Sequence, residues 1–257
     1  MIKINFLGTC SGTEPMLGRH HCSIVFEIGE KVYWFDAGEN CSHAAHTSGI
    51  DVQRVRAVFI SHMHIDHIGG LANLIFTIRK VAGVTKKPHI NGNSYDVFVP
   101  DFEKFAAIKL IGNGYRPEGS VTIVDHEVSD GVLFEDENVR VTALHNDHLR
   151  EADRDGWHSY SYLIEAEGKR VLCSGDLAHP TVDFPPVDDL DAAILEGAHF
   201  DVTDYTEIIK EKNIRSVYVN HYGNYYGRIN GANFLTLQAS IAPIPAELST
   251  DGMEISL

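Results

Sequence analysis

The sequence of 257 residues predicts an α/β fold, a four-layer αββα sandwich. Two observations predict it. Short apolar, β-branched runs of strand length alternate with helix-like segments along the sequence, which is the pattern of sheets covered by helices. Hydrophobic residues make up 44% of the chain, enough to bury a sizeable core, and we find no repeat, low-complexity tract or linker. We therefore expect residues 1–257 to form one domain.

The first half of the sequence begins with three strand-like runs, the second and third joined by a tight turn at Gly29 and Glu30. Apolar residues at helical spacing follow Gly70, and an aspartate at position 101 can cap a later helix. The pattern between residues 84 and 119 is the least clear. The predicted elements are strands at residues 2–7, 23–28, 31–35 and 55–60 and helices at residues 41–48, 70–81 and 101–108.

The second half of the sequence starts with more strands and then alternates strand and helix. This alternation suits an αββα sandwich. The predicted strands are residues 121–124, 139–144, 159–165, 171–174, 192–195 and 216–220, and the predicted helices are residues 205–212 and 232–240.

Four metal-binding side chains lie within residues 62–67, whose sequence is HMHIDH, directly after a predicted buried strand. In an extended segment the side chains at i and i+2 share a side, so His62 and His64 can bind one cation. Asp66 and His67 follow as the chain turns and can face a second. Imidazole and carboxylate are ligands expected for zinc, and they also serve manganese or iron. A solvated, histidine-rich turn is the alternative interpretation.

Two metal ions need about seven or eight protein ligands, so further ligands must come from elsewhere in the chain. His148, Asp176 and His221 are candidates because each follows an apolar, β-branched run. Ligands on loops at strand ends are held by a rigid scaffold. His145, three residues before His148, is a second candidate in the same segment.

The chain at this point resembles the metallo-β-lactamase superfamily, whose shared pattern is His-x-His-x-Asp-His followed by a separate His, a bridging Asp and a final His. Residues 1–15, 18–23 (GRHHCS), 34–38 (WFDAG) and 174–176 (SGD) are similar to the ribonuclease Z branch and to the related bacterial phosphodiesterases of phosphonate metabolism. Asp36, in the second of these internal segments, resembles the superfamily's first acidic motif. It is expected to bond the loop that carries the ligands.

The resemblance implies two divalent metal ions, zinc in the first place, with manganese or iron as alternatives. His148 is preferred to His145 because the branch places this ligand a few residues beyond the strand, after an acidic residue. The implied ligands are His62, His64 and His148 for the first ion, Asp66, His67 and His221 for the second, and Asp176 as the bridge.

The resemblance also assigns the proton transfers. Asp66 would accept a proton from the attacking water. The branch carries a His-Glu pair at the position matched by Leu195 and Glu196, so its expected general acid is missing here. His199, three residues past Glu196, is the candidate substitute if the turn at Gly197 redirects it, and a surface histidine is the alternative. Glu196 is expected to orient a ligand histidine through its other ring nitrogen.

The charge of the chain restricts the substrate. Its formal net charge is −15, and two divalent cations would offset only about four of these charges, so the surface would repel a polyanion. The densest basic stretch, residues 79–87, is short and is interpreted as a solvated helix end and loop. Residues 69–148 are too short and apolar for the tRNA-binding arm of ribonuclease Z. A small molecule is therefore the expected partner, structured RNA is not, and a homodimer is left open.

The predicted function is that of a metal-dependent hydrolase. A hydroxide bridging two cations forms near neutral pH, and the same cations can clamp the oxygens of a phosphodiester. The sequence thus predicts a phosphodiesterase acting on small phosphodiesters through a metal-bridging hydroxide. A metal-dependent lactonase or thioesterase is the alternative. A non-catalytic binding protein is disfavoured because all seven ligands are present.

The cellular setting is predicted from segments that the sequence lacks. We expect neither a transmembrane helix nor a signal peptide. Four cysteines without Cys-x-x-Cys spacing disfavour a disulfide framework, so a cytoplasmic setting is expected.

Overall fold

The computed structural model describes residues 1–12, 16–85, 87–92, 94–112, 121–150, 158–223 and 231–257. The chain divides into two compact units. The first unit comprises residues 1–8, 20–128 and 251–256, and the second comprises residues 9–19, 129–250 and 257. Each unit is built on one seven-stranded sheet, so the chain is of the α/β class as predicted.

The elements are numbered in chain order. Up to residue 128 they are β1 (Ile2–Gly8), β2 (Ser23–Ile28), β3 (Lys31–Phe35), α1 (Cys41–Thr47), β4 (Val55–Phe59), α2 (Ile65–Ile68), α3 (Leu71–Thr85), β5 (Ser94–Val99), α4 (Phe102–Gly112) and β6 (Thr122–Glu127). They continue with β7 (Gly131–Glu135), β8 (Arg140–His145), β9 (Tyr160–Ala166), β10 (Lys169–Cys173), β11 (Ala192–Glu196), α5 (Thr206–Glu211), β12 (Val217–Asn220), α6 (Gly231–Ile241), β13 (Ala246–Leu248) and β14 (Glu254–Ser256). Single 3₁₀ turns lie at Val52–Arg54 and Val202–Tyr205.

The sheet of the first unit has the strand order β14-β1-β2-β3-β4-β5-β6. The strands from β3 to β6 run parallel, and β2 and β3 form the predicted hairpin, with Gly29 at φ 59° in its turn. Helices α1, α3 and α4 pack against the sheet in an apolar core that includes Trp34, Val58, Ile78 and Phe105. Strand β4 is an interior strand, paired with β3 on one side and β5 on the other, so the segment that follows it starts from a well-anchored point.

A row of stacked aromatic rings also crosses this sheet. The ring centroids of Phe35 and Phe59 are 4.9 Å apart, and those of Phe59 and Phe98 are also 4.9 Å apart. These side chains are buried and come from three adjacent parallel strands. Such aromatic pairs add to the stabilisation that burial provides near the carboxyl ends of these strands.

The sheet of the second unit has the strand order β13-β12-β11-β10-β9-β8-β7. The strands from β7 to β10 are antiparallel, and those from β10 to β13 are parallel. Helices α5 and α6 bury their apolar side chains with those of the parallel strands, including Leu172, Leu195, Ile209 and Leu237. The carboxyl ends of parallel strands meet at one edge of a sheet, which is where such sheets carry ligands.

Most predicted elements are confirmed within one to four residues at their ends, and the amide of Lys104 donates to the Asp101 carboxylate at 2.9 Å, as the predicted cap requires. Four strands were not predicted. Strand β5 has Asp96 within its sequence, and β7 is largely exposed, which weakens the apolar pattern of both. Strands β13 and β14 have three residues each, too few to show any period.

No helix in the described ranges is both long enough and apolar enough to cross a lipid bilayer.

Candidate metal centre

The first unit carries the HMHIDH segment at the end of β4. His62 lies between β4 and α2, and His64 directly precedes α2 in extended backbone, with φ −70° and ψ 150°. Their ring centroids are 4.5 Å apart, in keeping with the shared side expected of residues i and i+2. Asp66 and His67 lie in α2, where the chain turns as predicted. His62, Asp66 and His67 are buried, and His64 is exposed.

Asp36 fixes this segment from the end of the neighbouring strand β3. Its carboxylate accepts hydrogen bonds from the Ser61 amide at 2.7 Å, from the Ser61 hydroxyl at 2.9 Å and from Nδ1 of His67 at 2.8 Å. Nε2 of His67, the other ring nitrogen, lies 3.6 Å from the Asp66 carboxylate. A carboxylate on one imidazole nitrogen sets the ring's tautomer and orientation for a metal on the other. Asp36 therefore bonds the ligand-carrying loop, as expected from the sequence.

Two glycines allow the backbone after β3 to approach α2 closely. A Cβ atom at Gly70 would lie 2.2 Å from the Gly38 carbonyl oxygen, and one at Gly38 would lie 2.6 Å from the Asp66 carbonyl oxygen. Two backbone hydrogen bonds form at this close approach. The Ala37 amide donates to the His67 carbonyl at 2.7 Å, and the Gly70 amide donates to the Ala37 carbonyl at 2.8 Å. The glycines are thus required by backbone packing that immobilises Asp66 and His67.

The second unit brings together the other three predicted ligands around Asp176. One carboxylate oxygen of Asp176 lies 3.6 Å from Nε2 of His148, and the other lies 3.3 Å from Nδ1 of His221. Asp176 follows β10 and His221 follows β12, so the parallel strand ends carry both. All three side chains are at least nine-tenths buried. Asp176 thus presents a different oxygen to each of two histidines, as a bridging carboxylate must.

His145 and His148 differ in their surroundings. His145 ends β8 with its side chain 40% exposed, and its Nδ1 contacts the carboxylate of Asp130. His148, three residues later, contacts Asp176. The structure therefore places His148, the residue preferred from the sequence, beside the predicted bridging carboxylate.

Glu196 and His199 form a pair beside this cluster. The Glu196 carboxylate accepts from Nδ1 of His199 at 2.9 Å and from the backbone amides of Leu177 and His199 at 2.7 and 3.1 Å. The ring centroid of His199 lies 4.8 Å from that of His148 and 5.9 Å from that of His221. The turn at Gly197 therefore brings His199 close to these two predicted ligands. The imidazole that Glu196 contacts is that of His199, whereas the sequence predicted one of the seven ligands.

The donor sets of both units fit divalent metal ions. Ligand atoms of Asp176, His199 and His221 all lie within 4.8 Å of one another, and buried imidazole and carboxylate groups are the ligands that zinc takes. Burial raises the pKa of the Tyr205 hydroxyl well above its usual value, and the nearby carboxylates of Glu196 and Asp176 add to the rise. Such a concentration of buried negative charge is stabilised by a cation.

The amino-acid sequence is similar to those of several known proteins. Residues 2–97 match the family model described as Anti-Pycsar protein Apyc1. Curated relatives include ribonuclease Z of Cyanothece sp., which is 29% identical over 165 residues, covering 60% of this chain and 48% of that protein. The ribonuclease Z of Pyrococcus furiosus is 31% identical over 166 residues, covering 61% of this chain and 50% of the relative. The chain spans about half the length of the curated relatives it matches.

Solved structures match over nearly the whole chain. The metallo-β-lactamase fold protein YhfI from Bacillus subtilis has a TM-score of 0.76 at 15% identity, covering 99% of this chain and 98% of that one. Zinc-bound PqqB from Methylobacterium extorquens has a TM-score of 0.70 at 13% identity, covering 99% and 100%. The predicted metallo-β-lactamase-like fold is thereby confirmed. The chain thus has a metallo-β-lactamase-like fold and is similar in sequence to ribonuclease Z over more than half of its length.

Proposed function

We propose that the chain is a metal-dependent hydrolase that uses two divalent ions, zinc in the first place, to cleave small phosphodiesters. The observation that carries the proposal is the placement of Asp176, whose two oxygens face different buried histidines. A carboxylate shared in this way is what a pair of cations requires of its bridging ligand. The ligands proposed from the sequence are His62, His64 and His148 for one ion, Asp66, His67 and His221 for the other, and Asp176 for both.

Bound divalent ions would supply Lewis acidity, which lowers the pKa of water and stabilises negative charge on phosphoryl oxygens. The chain itself must then move protons. Asp66 is buried in α2, and its carboxylate lies 3.6 Å from Nε2 of His67. We assign it the role of accepting a proton from the attacking water.

His199 is assigned the role of proton donor to the leaving oxygen. Its Nδ1 is bonded to Glu196, which leaves Nε2 as the nitrogen that can carry a proton to substrate. The Glu196 carboxylate stabilises the charged imidazolium before that transfer. The same pairing also suits a metal ligand, since ligating histidines commonly donate their second nitrogen to a carboxylate. Replacing His199 with alanine separates these roles, because only the loss of a ligand would also lower the amount of bound metal.

The charge distribution favours a small substrate over RNA. Binding along a nucleic-acid backbone depends on a track of exposed basic side chains, and the net charge here is −15. In the densest basic stretch Arg79 is buried within α3, and Lys80 lies over the ring of Phe76. Lys86 is outside the described residues. Ribonuclease Z relatives leave RNA as the competing substrate class, and a lactone or thioester as the competing chemistry.

The experiment is a substrate panel on protein reloaded with zinc or manganese. We expect turnover of an aryl phosphodiester, little turnover of a lactone or a thioester, and no processing of a structured precursor tRNA. Protein carrying Asp176→Ala, prepared in parallel, controls for contaminating phosphodiesterases. Lactone or thioester hydrolysis without phosphodiester cleavage would refute the proposed chemistry, and efficient tRNA processing would refute the proposed substrate class.

A further inference from the structure

Asp183 lies in the second unit, in a turn that follows Asp176. Its carboxylate accepts two backbone hydrogen bonds, one from the amide of Asp147 at 2.8 Å and one from the amide of Ala178 at 2.7 Å. Asp147 immediately precedes His148, and Ala178 comes two residues after Asp176. One side chain therefore connects the two loops that carry these proposed ligands.

The neighbouring residues hold this carboxylate in place. Phe184, the next residue, is buried in the apolar core of the unit, so the chain cannot carry Asp183 away without exposing that ring. The backbone of the turn is itself bonded, since Nδ1 of His179 accepts from the amide of Val182 at 3.2 Å. Asp183 is thus presented to the two loops from an anchored segment.

The arrangement places two like charges close together. Burial raises the pKa of Asp183, and the nearby carboxylate of Asp147 raises it further. Arg150 partly compensates by donating to the Asp147 carboxylate at 3.0 Å. An unfavourable pair of this kind persists where another interaction compensates for it. Here the Asp183 carboxylate accepts hydrogen bonds from two backbone amides.

We propose that Asp183 is a positioning residue. By accepting one hydrogen bond from the loop of His148 and one from the loop of Asp176, it fixes these two side chains relative to each other. This inference rests on the proposed function, because it assigns the fastened residues to a metal ion. Outer partners of this kind commonly change metal affinity or activity by about 10–100-fold when they are replaced. The two hydrogen bonds to Asp183 are a property of the protein alone and can be measured without metal.

The test compares Asp183→Asn with Asp136→Asn. The Asp183 substitution keeps the shape of the side chain but replaces one acceptor oxygen with a donor, so it cannot accept both amides. Asp136 is the control for the loss of charge, because its carboxylate accepts two backbone amides, those of Asn138 and Val139 at 2.9 and 3.2 Å, through one oxygen that asparagine retains. Zinc affinity by chelator competition and amide hydrogen exchange would be measured for both variants and for the unsubstituted chain.

We expect Asp183→Asn to lower zinc affinity about 10–100-fold and to speed exchange at the amides of Asp147 and Ala178, while Asp136→Asn does neither. Equal zinc affinity in the two variants would overturn the proposal. So would a lack of exchange protection at both amides in the unsubstituted chain, a result that does not depend on any variant folding. Absence of zinc binding by the unsubstituted chain would instead refute the proposed function, while hydrogen exchange would still decide the fastening.

Discussion

Replacing Asp176 with alanine is expected to abolish most of the activity, by about 10³-fold or more, while the chain stays folded. The expected loss is large because this substitution would remove the proposed bridging ligand of both ions, and two-metal stabilisation of a transition state is worth several kcal/mol. The fold should survive because the carboxylate lies between the imidazoles of His148 and His221 and not in the apolar core. Turnover of an aryl phosphodiester and circular dichroism would be measured together.

The matched control for this variant is Asp191→Ala. Asp191 is also a mostly buried aspartate of the second unit, but it pairs with Lys169 and Arg215 at the start of β11, away from the ligand-carrying strand ends. Its loss should lower stability and leave turnover by the folded protein largely intact. If Asp176→Ala unfolds the protein irrespective of added metal, Asp176 is structural and its assignment as the bridge is wrong.

Replacing His199 with alanine is expected to slow substrates with poor leaving groups by about 10²–10⁴-fold. An activated aryl phosphodiester should be slowed far less, because its leaving oxygen departs without a proton. The geometry behind the expectation is the Glu196–His199 pair, whose imidazole lies beside those of His148 and His221. Rates on an alkyl and an aryl phosphodiester would be compared under the same metal loading.

His145→Ala provides the control for the His199 substitution. His145 is likewise a histidine whose Nδ1 contacts a carboxylate, that of Asp130, but it lies at the surface. The His145→Ala substitution should leave both rates unchanged. A loss of rate on both substrates would instead favour His145 as the third histidine ligand. Equal losses on both substrates after His199→Ala would reject His199 as the proton donor, and a simultaneous loss of bound metal would mark it as a ligand.

The candidate ligands could be proposed from the sequence because their signals are local. The segment His62 to His67 has four metal-binding side chains, three histidines and one aspartate, on a stretch that ends in a helical turn. His148, Asp176 and His221 each follow a visible apolar run, and the structure places the three side chains together. Local pattern alone could name the candidates, although choosing His148 over His145 required the resemblance.

The partners of the proposed ligands were harder to predict because they are distant in sequence. Glu196 contacts His199, whose ring approaches His148, and that proximity depends on how the strands β8 and β11 are ordered in the sheet. Asp183 reaches the amide of Asp147 across a separation of 36 residues. The sequence pattern around an aspartate in a turn does not show whether its carboxylate accepts hydrogen bonds from another loop or faces solvent. Only the folded backbone reveals these contacts.

The central claim is that the chain binds a pair of metal ions, and metal analysis of the purified protein tests it most directly. Protein prepared without chelators and dialysed against metal-free buffer would be analysed for zinc, manganese and iron by mass spectrometry. We predict about two divalent ions per chain, falling in the Asp176→Ala variant. Fewer than one tightly bound ion per folded chain, unchanged after reloading with zinc or manganese, would contradict the claim.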